Sequence, residues 1–547
     1  MKKVFTLLLL TLSFQFINAQ SVKKTTGLAK PVRFCIISDV HYYDTTLGTT
    51  GTAFQTYVAG DRKMIAQSEA IFESALNSIK QENPDFLLIP GDLTKDGEKF
   101  DHIKMADYLK ALKTAGIQTY IIPGNHDVLN YGAKSYLTDS AVSIANVTPQ
   151  EFASIYSDYG YNQAIARDTA SLSYVIEPAE GLWIIAMDAC RYKENSFTNA
   201  SVTGGKFSGS TLAWIENQLQ LARTNNKIVI GMIHHGVLEH FTGEKTLLPE
   251  YVIDDYKIAD SIFTKYDMRL VFTGHNHAQD ITENVMGDGK ILYDVQTGSL
   301  VTSPCPYRVV TISTDLNVNI TSNTIKSINS DLNGESFPAF ANNFLITGLT
   351  ELIQAVLTKP VSNGGYGLSP DIASLVSPFF AETCAAYFTG DESPTLTTKA
   401  LIASLLSSSD STTKLVGTIV NSLWTDLPPS DNNTQFDIKV QTTNINNFTF
   451  SNPANYELAQ NYPNPFNPST LINYQLPKDG LVTLKVYNVL GEEIKTLVNE
   501  FKTKGSYNLS FDGSGLTSGV YFYQLRVTGI SGSSNNFLST KKMLLIK

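Results

Sequence analysis

The sequence predicts a layered α/β domain, followed by a helical region and then by a small β-sandwich. Three observations support this order. Short apolar runs alternate with amphipathic helical patterns from about residue 32 to residue 314, and further helical patterns follow between residues 337 and 424. Residues 456–547 then return to short strand patterns separated by Gly and Pro turns. With 547 residues the chain is too long for one core, so several domains are expected.

The α/β prediction rests on six apolar runs of strand length. These are Phe34–Ile37, Phe86–Ile89, Thr119–Ile122, Leu182–Met187, Ile228–Ile233 and Leu270–Phe272. Amphipathic patterns between some of these runs predict the helices Lys63–Glu82, Phe100–Ala115 and Thr211–Arg223. Strands that alternate with helices in this way favour a layered α/β architecture.

The middle region carries four further helical patterns. They span Phe340–Leu357, Pro370–Tyr387, Leu396–Leu406 and Thr412–Trp424. This region is either a separate small domain or a helical cap on the α/β domain. The expected boundaries are 32–330 for the α/β domain, 331–430 for the helical domain, 431–455 for an Asn/Thr-rich linker and 456–547 for the β-sandwich.

Residues 1–19 are predicted to be a secretory signal peptide. Lys2 and Lys3 form its charged start, Val4–Ile17 is largely apolar, and Ala19 suits cleavage before Gln20. The apolar stretch is too short for a membrane-spanning helix, and no later segment has 18 consecutive apolar residues. We therefore expect a mature protein outside the cytoplasm, without a transmembrane span.

Charge and cysteine content narrow the functional classes. The formal net charge is −10 and there is no long run of Lys or Arg, so nucleic acid is not expected as the main partner. A small phosphorylated substrate is still compatible with this charge, because a bound metal supplies positive charge locally. Cys35, Cys190, Cys305 and Cys384 are far apart, so neither a disulfide framework nor a thiolate metal site is expected.

Polar motifs follow directly after five of the predicted strands. They are Asp39-Val40-His41, Gly91-Asp92, Gly124-Asn125-His126-Asp127, His234-His235 and Gly274-His275-Asn276-His277. In layered α/β folds the carboxyl ends of the strands open onto one crevice, so these five loops can converge. Six of the eight histidines lie in the motifs, which makes a chance origin of the whole set improbable. The other two, His102 and His240, are expected to be surface or loop residues.

The residue types in these motifs suit a pair of metal ions. Imidazole, carboxylate and amide oxygen are ligands for Mn, Fe or Zn. A single carboxylate can bridge two metals, and Asp92 is the candidate. Two metals about 3.5–4 Å apart can hold a hydroxide between them and stabilise both sides of an in-line attack at phosphorus. Taken singly, each motif has a simpler interpretation, since Asp-x-His is common by chance and Gly-Asp after a strand is usually a turn.

As a set, the five motifs resemble the full signature of the calcineurin-like metallophosphoesterase superfamily. The resemblance covers about residues 32–314 and implies a four-layer αββα sandwich. It also implies a phosphoric ester hydrolase that uses a metal-bridging hydroxide and two divalent or trivalent transition metal ions. The implied ligands of the first metal are Asp39, His41, Asp92 and His277. The implied ligands of the second metal are Asp92, Asn125, His234 and His275.

The same resemblance implies roles for residues beside the ligands. His126 would contact the phosphate or protonate the leaving oxygen. Asp127 would orient His126 by hydrogen bonding. Because His234 and His235 are adjacent, only one is expected to be a ligand, and the family pattern favours His234.

Substrate preference depends on a weaker likeness. Lys95 stands where purple acid phosphatases carry a Tyr, so their purple charge-transfer ligand is absent. Gly91–Thr94 followed by Asp96–Glu98 is similar to the cyclic-nucleotide phosphodiesterase branch. The expected substrates are therefore small phosphodiesters, with cyclic nucleotides as the leading class. The alternatives are a phosphomonoesterase or nucleotidase of the same superfamily, and a non-catalytic binding protein that keeps the metals for structure.

The C-terminal segment carries a separate resemblance. Leu458–Pro468 and Lys541–Lys547, together with Val486–Gly491 and Ser518–Tyr521 between them, resemble the type IX secretion C-terminal sorting domain. This implies the type IX secretion machinery as a partner, and export through the periplasm to the cell surface or the medium. The alternative is a carbohydrate-binding or adhesive β-sandwich.

Overall fold

The computed structural model describes residues 27–59, 61–286, 290–360, 365–439, 456–461, 464–478, 480–502, 505–529 and 537–546. These residues fall into two compact units, Met1–Val440 and Gln441–Lys547. The predicted signal peptide, residues 1–19, lies outside the described residues, as do residues 440–455 of the predicted linker.

The strands predicted in the first unit are all present, with small shifts at their ends. The strand bounds are β1 Val32–Ile36, β2 Phe86–Pro90, β3 Gln118–Ile122, β4 Lys134–Ser135, β5 Val142–Ser143, β6 Ala166–Arg167, β7 Tyr174–Ala179, β8 Leu182–Met187, β9 Ile228–Ile233, β10 Leu270–Thr273, β11 Asp280–Val285, β12 Ile291–Gln296, β13 Pro306–Ile312, β14 Asn317–Thr324 and β15 Asn433–Asp437.

The helices also follow the predicted order. Their bounds are α1 Thr52–Val58, α2 Ser68–Glu82, α3 Lys99–Thr114, α4 Pro149–Ile155, α5 Gly209–Thr224, α6 Glu244–Leu247, α7 Tyr256–Lys265, α8 Phe337–Thr358, α9 Pro370–Thr389, α10 Leu396–Leu406 and α11 Ser411–Leu423. Several boundaries shift by one to three residues, and the largest difference is in α2, which is predicted to begin at Lys63 but begins at Ser68 after a short 3₁₀ turn. The backbone N–H of Met64 donates to Val301 O instead, at 2.9 Å, which holds residues 61–64 as a loop.

Two mixed sheets form the centre of this unit. The six-stranded sheet has the order β15-β14-β13-β1-β2-β3, and the seven-stranded sheet has the order β11-β12-β10-β9-β8-β7-β6. They pack face to face, as shown by the Phe34 and Phe272 rings, which meet edge-on with 5.4 Å between centroids. Helices α2 and α3 contribute buried residues beside the first sheet, and α5 and α7 beside the second. The predicted four-layer αββα sandwich is therefore confirmed.

The predicted linker 431–455 begins with a strand. Residues of β15 pair antiparallel with β14, so that Phe436 lies opposite Val318. The ring of Phe436 is buried and stacks on Tyr293, with 3.9 Å between centroids. The linker prediction is wrong for these residues. The Asn/Thr-rich sequence shows no strand pattern, because the strand has a single apolar side chain, and that side chain is buried only when the sheet has formed.

The helical region packs on the α/β sandwich within the same compact unit. Leu345 and Leu349 of α8 and Tyr387 of α9 form one buried cluster with Phe241 and Ala278 of the sandwich. Of the described helices, α8 alone is long and apolar enough to cross a membrane by length and composition, with a mean hydropathy of 1.2. A single helix of this kind is weak evidence for a span, since packed core helices have the same composition.

The second unit is a pair of antiparallel sheets with its own core. Its strands are β16 Glu457–Leu458, β17 Ser469–Leu476, β18 Gly480–Tyr487, β19 Glu493–Lys502, β20 Gly505–Asp512, β21 Gly519–Gly529 and β22 Phe537–Leu545. The sheet orders are β16-β17-β20 and β19-β18-β21-β22. Tyr521 and Tyr523 are buried in this core, and the hydroxyl of Tyr523 donates to Ala459 O at 2.8 Å. A sugar-binding platform would need these aromatic side chains exposed, but they are packed in the interior.

Candidate metal centre

The seven predicted ligands converge at one edge of the sandwich, on loops that follow the carboxyl ends of β1, β2, β3, β9 and β10. Each residue is buried, with no more than 4% of its surface exposed. The residues are Asp39, His41, Asp92, Asn125, His234, His275 and His277.

The first group contains Asp39, His41 and His277, whose ligand atoms all lie within 4.8 Å of one another. The Nε2 atoms of His41 and His277 are 3.2 Å apart. His277 Nε2 is also 3.5 Å from Asp39 Oδ1. The second Asp39 oxygen accepts a hydrogen bond from Ser38 Oγ at 2.6 Å, which fixes the orientation of the carboxylate.

The second group contains Asp92, His234 and His275, with Asn125 beside them. His234 Nε2 lies 3.3 Å from Asp92 Oδ2, 3.1 Å from His275 Nδ1 and 3.2 Å from Asn125 Oδ1. The amide nitrogen of Asn125 donates to Ser201 Oγ at 3.2 Å, which turns its oxygen toward the cluster. Four side chains from four loops thus direct ligand atoms at one point.

Asp92 belongs to both groups through a single oxygen. Its Oδ2 atom lies 3.7 Å from His41 Nε2 and 3.3 Å from His234 Nε2. Its Oδ1 atom accepts the backbone N–H of His126 at 2.9 Å. Burial opposes ionisation, but the rings of His234 and His126 hold the pKa of Asp92 well below its usual range. Asp92 therefore stays a carboxylate, as a bridging ligand must.

The side chains of the cluster fit a metal because they attract positive charge. His234 Nδ1 is 2.8 Å from Pro90 O, which can only accept, so Nδ1 carries a proton and Nε2 is the atom that faces the cluster. This Nε2 atom lies beside the oxygens of Asp92 and Asn125. Burial lowers the pKa of His234, but the Asp92 charge raises it to about 9, so the cluster attracts a positive charge at this position. A metal ion supplies such a charge, and the carbonyl oxygen of Pro90 fixes the ring as an outer partner.

The backbone at the ligands is strained. Asp39, His41, Asp92, His275 and His277 have positive φ angles of 49°, 41°, 47°, 74° and 67°. This region costs a residue other than glycine about 1–3 kcal/mol, and such strain concentrates at functional sites. The fold thus holds five of the seven predicted ligands in a conformation that they would not adopt alone.

Glycine is required at two positions of the motifs, because the backbone there passes very close to the side chains of candidate ligands. A Cβ at Gly124 would lie 2.1 Å from Asp92 Oδ1, and a Cβ at Gly274 would lie 2.5 Å from Asp39 Oδ2. Both oxygens are fixed by hydrogen bonds, from His126 N to Asp92 Oδ1 and from Ser38 Oγ to Asp39 Oδ2. The glycines of the motifs therefore allow the loops to pass directly against the ligands.

His126 lies beside the cluster, with its Nδ1 atom 2.9 Å from Asp96 Oδ1. Burial opposes protonation of this ring, but the carboxylates of Asp92 and Asp96 raise its pKa above the usual value. Asp96 itself is held well below its usual pKa, because Lys95 and His126 outweigh the effect of burial. The ring is therefore oriented by an anionic partner and favours its protonated form.

Asp127 does not have the role that the resemblance implied. Its carboxylate accepts the backbone N–H groups of Leu93, Thr94 and Gly124 at 2.8–3.1 Å, and it thereby joins two ligand loops. The partner of the His126 ring is Asp96, four residues after Asp92. The physical reason is that the buried Asp127 carboxylate is already occupied by backbone N–H groups of two loops, whereas Asp96 Oδ1 lies at the ring.

The other histidines have their hydrogen-bond partners outside the cluster. The Nε2 atom of His235 lies 2.8 Å from Thr203 O, so the adjacent His234 is the one that faces Asp92. The expectation that His102 and His240 are surface or loop residues is wrong with respect to burial, since neither is more than 1% exposed. His102 lies in α3 and contacts Tyr156 OH and Asp127 O, both at 2.9 Å.

His240 is held by two carboxylates outside the cluster. Its Nδ1 atom is 2.7 Å from Asp280 Oδ1, and its Nε2 atom is 3.4 Å from Asp294 Oδ2. Burial opposes protonation, but these carboxylates raise the pKa of His240 well above its usual value. It is a buried cation of the loop after β9.

A cavity of about 110 Å³ opens beside the cluster. Its lining residues are Asp61, Arg62, Lys63, Asp92, Asn125, His126, Thr203, Tyr251, His275 and His277. Sequence motifs alone did not identify Arg62, Lys63, Thr203 or Tyr251, because these residues come from loops without a pattern. Asp96 lies close to a motif, and its position four residues after Asp92 was the available signal.

The fold and the cluster together define an α/β protein with a metal-binding set of side chains at its strand ends. The comparisons with known families agree with that class. Residues 32–279 match the calcineurin-like phosphoesterase family, and residues 460–539 match the secretion system C-terminal sorting domain. Residues 32–279 thus form a calcineurin-like phosphoesterase domain, and the chain carries a C-terminal type IX sorting domain, which directs export to the cell surface or secretion.

Two of the solved structures with partial likeness to this chain are described as phosphatases. A dimetal phosphatase from Danio rerio is 13% identical with a TM-score of 0.37, covering 54% of this chain and 96% of its own. A purple acid phosphatase from yellow lupin (Lupinus luteus) seeds is 13% identical with a TM-score of 0.34, covering 54% of this chain and 51% of its own. These TM-scores are low, so the family assignment rests on the sequence match. No significant match was found among curated proteins.

Proposed function

We propose that this chain is a secreted, dinuclear metal-dependent phosphoesterase that hydrolyses small phosphodiesters, with cyclic nucleotides as the leading substrates. The observation that carries the proposal is the convergence of the His41 and His234 ring nitrogens on Asp92 Oδ2. A buried set of imidazole, carboxylate and amide side chains that meet at one point suits metal cations. The likeness of Gly91–Thr94 and Asp96–Glu98 to the cyclic-nucleotide branch supports the diester preference.

The proposed ligands divide between two metal ions. Asp39, His41, Asp92 and His277 hold one ion, and Asp92, Asn125, His234 and His275 hold the other. Imidazole, carboxylate and amide ligands favour Mn, Fe or Zn. When bound, such ions supply Lewis-acid activation of the attacking water and of the phosphoryl oxygen.

His126 is the proposed general acid. Asp96 orients its ring and supports the protonated form, so that a proton is available for the leaving oxygen. Asp127 has an indirect role, because it ties the Asp92 loop to the His126 loop through backbone hydrogen bonds.

The experiment that tests the proposal is a substrate panel with defined metals. Purified protein is loaded with Mn²⁺, Fe²⁺ or Zn²⁺ and assayed with cyclic nucleotides, chromogenic diesters, phosphomonoesters, nucleotides and phospholipid head groups. We expect metal-dependent release of product, fastest with small diesters. Faster monoester turnover would favour the monoesterase or nucleotidase alternative. A metal-replete protein with no turnover would favour a binding protein.

The domain limits are proposed as 32–330 for the phosphoesterase domain, 331–430 for the helical part and 456–547 for the sorting domain, with residues 1–19 removed as a signal peptide.

We predict that deletion of 456–547 leaves a folded, active enzyme that accumulates in the periplasm. The reason is that this segment has its own core. Cell fractionation and activity of the purified truncation check this. Loss of activity would show that the segment supports the catalytic domain.

A further inference from the structure

Two cationic side chains share the cavity of the metal cluster. Arg62 and Lys63 line it beside Asp92, His275 and His277. Both come from the loop before α2, and neither belongs to the five motifs. A volume of about 110 Å³ is small, so an anion bound there meets the cluster and both cations together.

The positive charges of Arg62 and Lys63 are only partly neutralised by other groups of the protein. Arg62 Nε is buried and has no hydrogen-bond partner among the described residues, although the guanidinium also interacts with Tyr251. The ion pair of Lys63 Nζ with Asp61 Oδ2 is long, at 4.0 Å, while the Lys63 side chain is only 12% exposed. A buried charge without a close partner is costly unless a ligand supplies one.

The helical region holds this loop in place. A Cβ at Gly348 of α8 would lie 2.2 Å from Asp61 O, so α8 touches the loop directly. The guanidinium of Arg62 lies 5.9 Å from the ring centroid of Phe388 in α9. On the opposite side the N–H of Met64 donates to Val301 O. The loop is therefore clamped between the helices and the sandwich.

We infer that Arg62 and Lys63 bind the phosphate group of substrate and product at the metal centre, and that they hold the dianionic monoester product more tightly than the monoanionic diester substrate. The inference rests on the proposed function for the identity of the substrate. Two cations and a metal cluster around one small cavity attract a dianion more strongly than a monoanion. The net charge of −10 makes this local positive region the main attraction for such a ligand.

The test measures binding of inorganic phosphate to metal-loaded protein by calorimetry, together with metal content. Arg62→Gln and Lys63→Gln are each expected to weaken phosphate binding about tenfold or more, as loss of one charge-assisted hydrogen bond predicts. Metal content should not change. The matched controls are Arg223→Gln and Lys110→Gln, which alter exposed cations on α5 and α3 and should bind phosphate as the wild type does.

A second variant acts on the loop from outside the cavity. Gly348→Ala should displace Asp61 and its neighbours and weaken phosphate binding while both metals stay bound. Gly209→Ala is its control, because a Cβ at that helix start meets nothing within 4 Å. Wild-type phosphate affinity in Arg62→Gln and Lys63→Gln would overturn the inference, and so would loss of metal in parallel with loss of phosphate.

Charge preference is tested with p-nitrophenyl phosphate and bis(p-nitrophenyl) phosphate. Arg62→Gln and Lys63→Gln should raise KM more for the dianionic monoester than for the monoanionic diester, and equal rises would overturn the dianion preference. The binding experiment needs no turnover. If the wild type binds phosphate through these residues but hydrolyses nothing in the panel, the proposed function fails and the inference stands.

Discussion

Asp92→Asn is expected to remove both metal ions and with them nearly all turnover. The amide oxygen would keep the hydrogen bond from His126 N, which now ends on Oδ1. The amide NH₂ would then occupy the position of Oδ2, facing His41 and His234. A donor in the place of a shared anionic ligand weakens both metals, because one oxygen belongs to both groups.

Elemental analysis after dialysis against metal-free buffer measures this effect directly. Asp260→Asn is the matched control, since Asp260 is also a buried aspartate but lies in α7, where it accepts from Asn284. The control should keep two equivalents of metal. Two full equivalents in Asp92→Asn would remove its bridging role, and one retained equivalent would show that Asp92 serves a single metal.

His126→Ala is expected to keep both metals and to lose about 10²–10⁴-fold in kcat, the usual range for a general acid. The loss should depend on the leaving group. Esters of p-nitrophenol need little protonation of the leaving oxygen and should be affected less than alkyl esters. Asp96→Asn should show the same dependence in milder form, because it removes the anion that orients and charges the His126 ring.

Asp127→Asn separates the two candidate partners of His126. Its carboxylate accepts backbone N–H groups of Leu93, Thr94 and Gly124, so its loss should lower the melting temperature and metal content. It should not give the leaving-group dependence of His126→Ala. If Asp127→Asn gives that dependence and Asp96→Asn does not, the orienting role belongs to Asp127. Near-normal kcat in metal-replete His126→Ala would exclude it as the acid.

Much of the layered domain could be predicted because its strands carry their own signal. Runs such as Leu182–Met187 and Ile228–Ile233 are buried on both faces and hence continuously apolar, and the structure keeps these bounds. β15 was missed for the opposite reason, since its single buried apolar residue, Phe436, gives no pattern. Helices α10 and α11 were predicted nearly to the residue, and in the structure the side chains of Thr395 and Asp410 cap their first turns.

The sequence by itself determined which side chains form the cluster. His41, Asp92 and His277 each follow a recognisable strand, and strand ends in a layered sheet share one edge. Only the tertiary structure decided which carboxylate forms a hydrogen bond with the His126 ring. Asp127 is next to His126 in the chain and Asp96 lies 30 residues before it, yet it is Asp96 that contacts the His126 ring.

The position of the loop that carries Arg62 and Lys63 was also not predictable from the sequence pattern. Its residues have no motif, and the amphipathic pattern of α2 extends back to Lys63, so the sequence placed Lys63 in a helix. The hydrogen bond from Met64 to Val301 and the contact of Gly348 with Asp61 hold the segment as a loop over the cluster. Such contacts join residues far apart in the chain, and local periodicity carries no information about them. Which charges face the metal cluster was therefore decided by packing of the helical region on the sandwich.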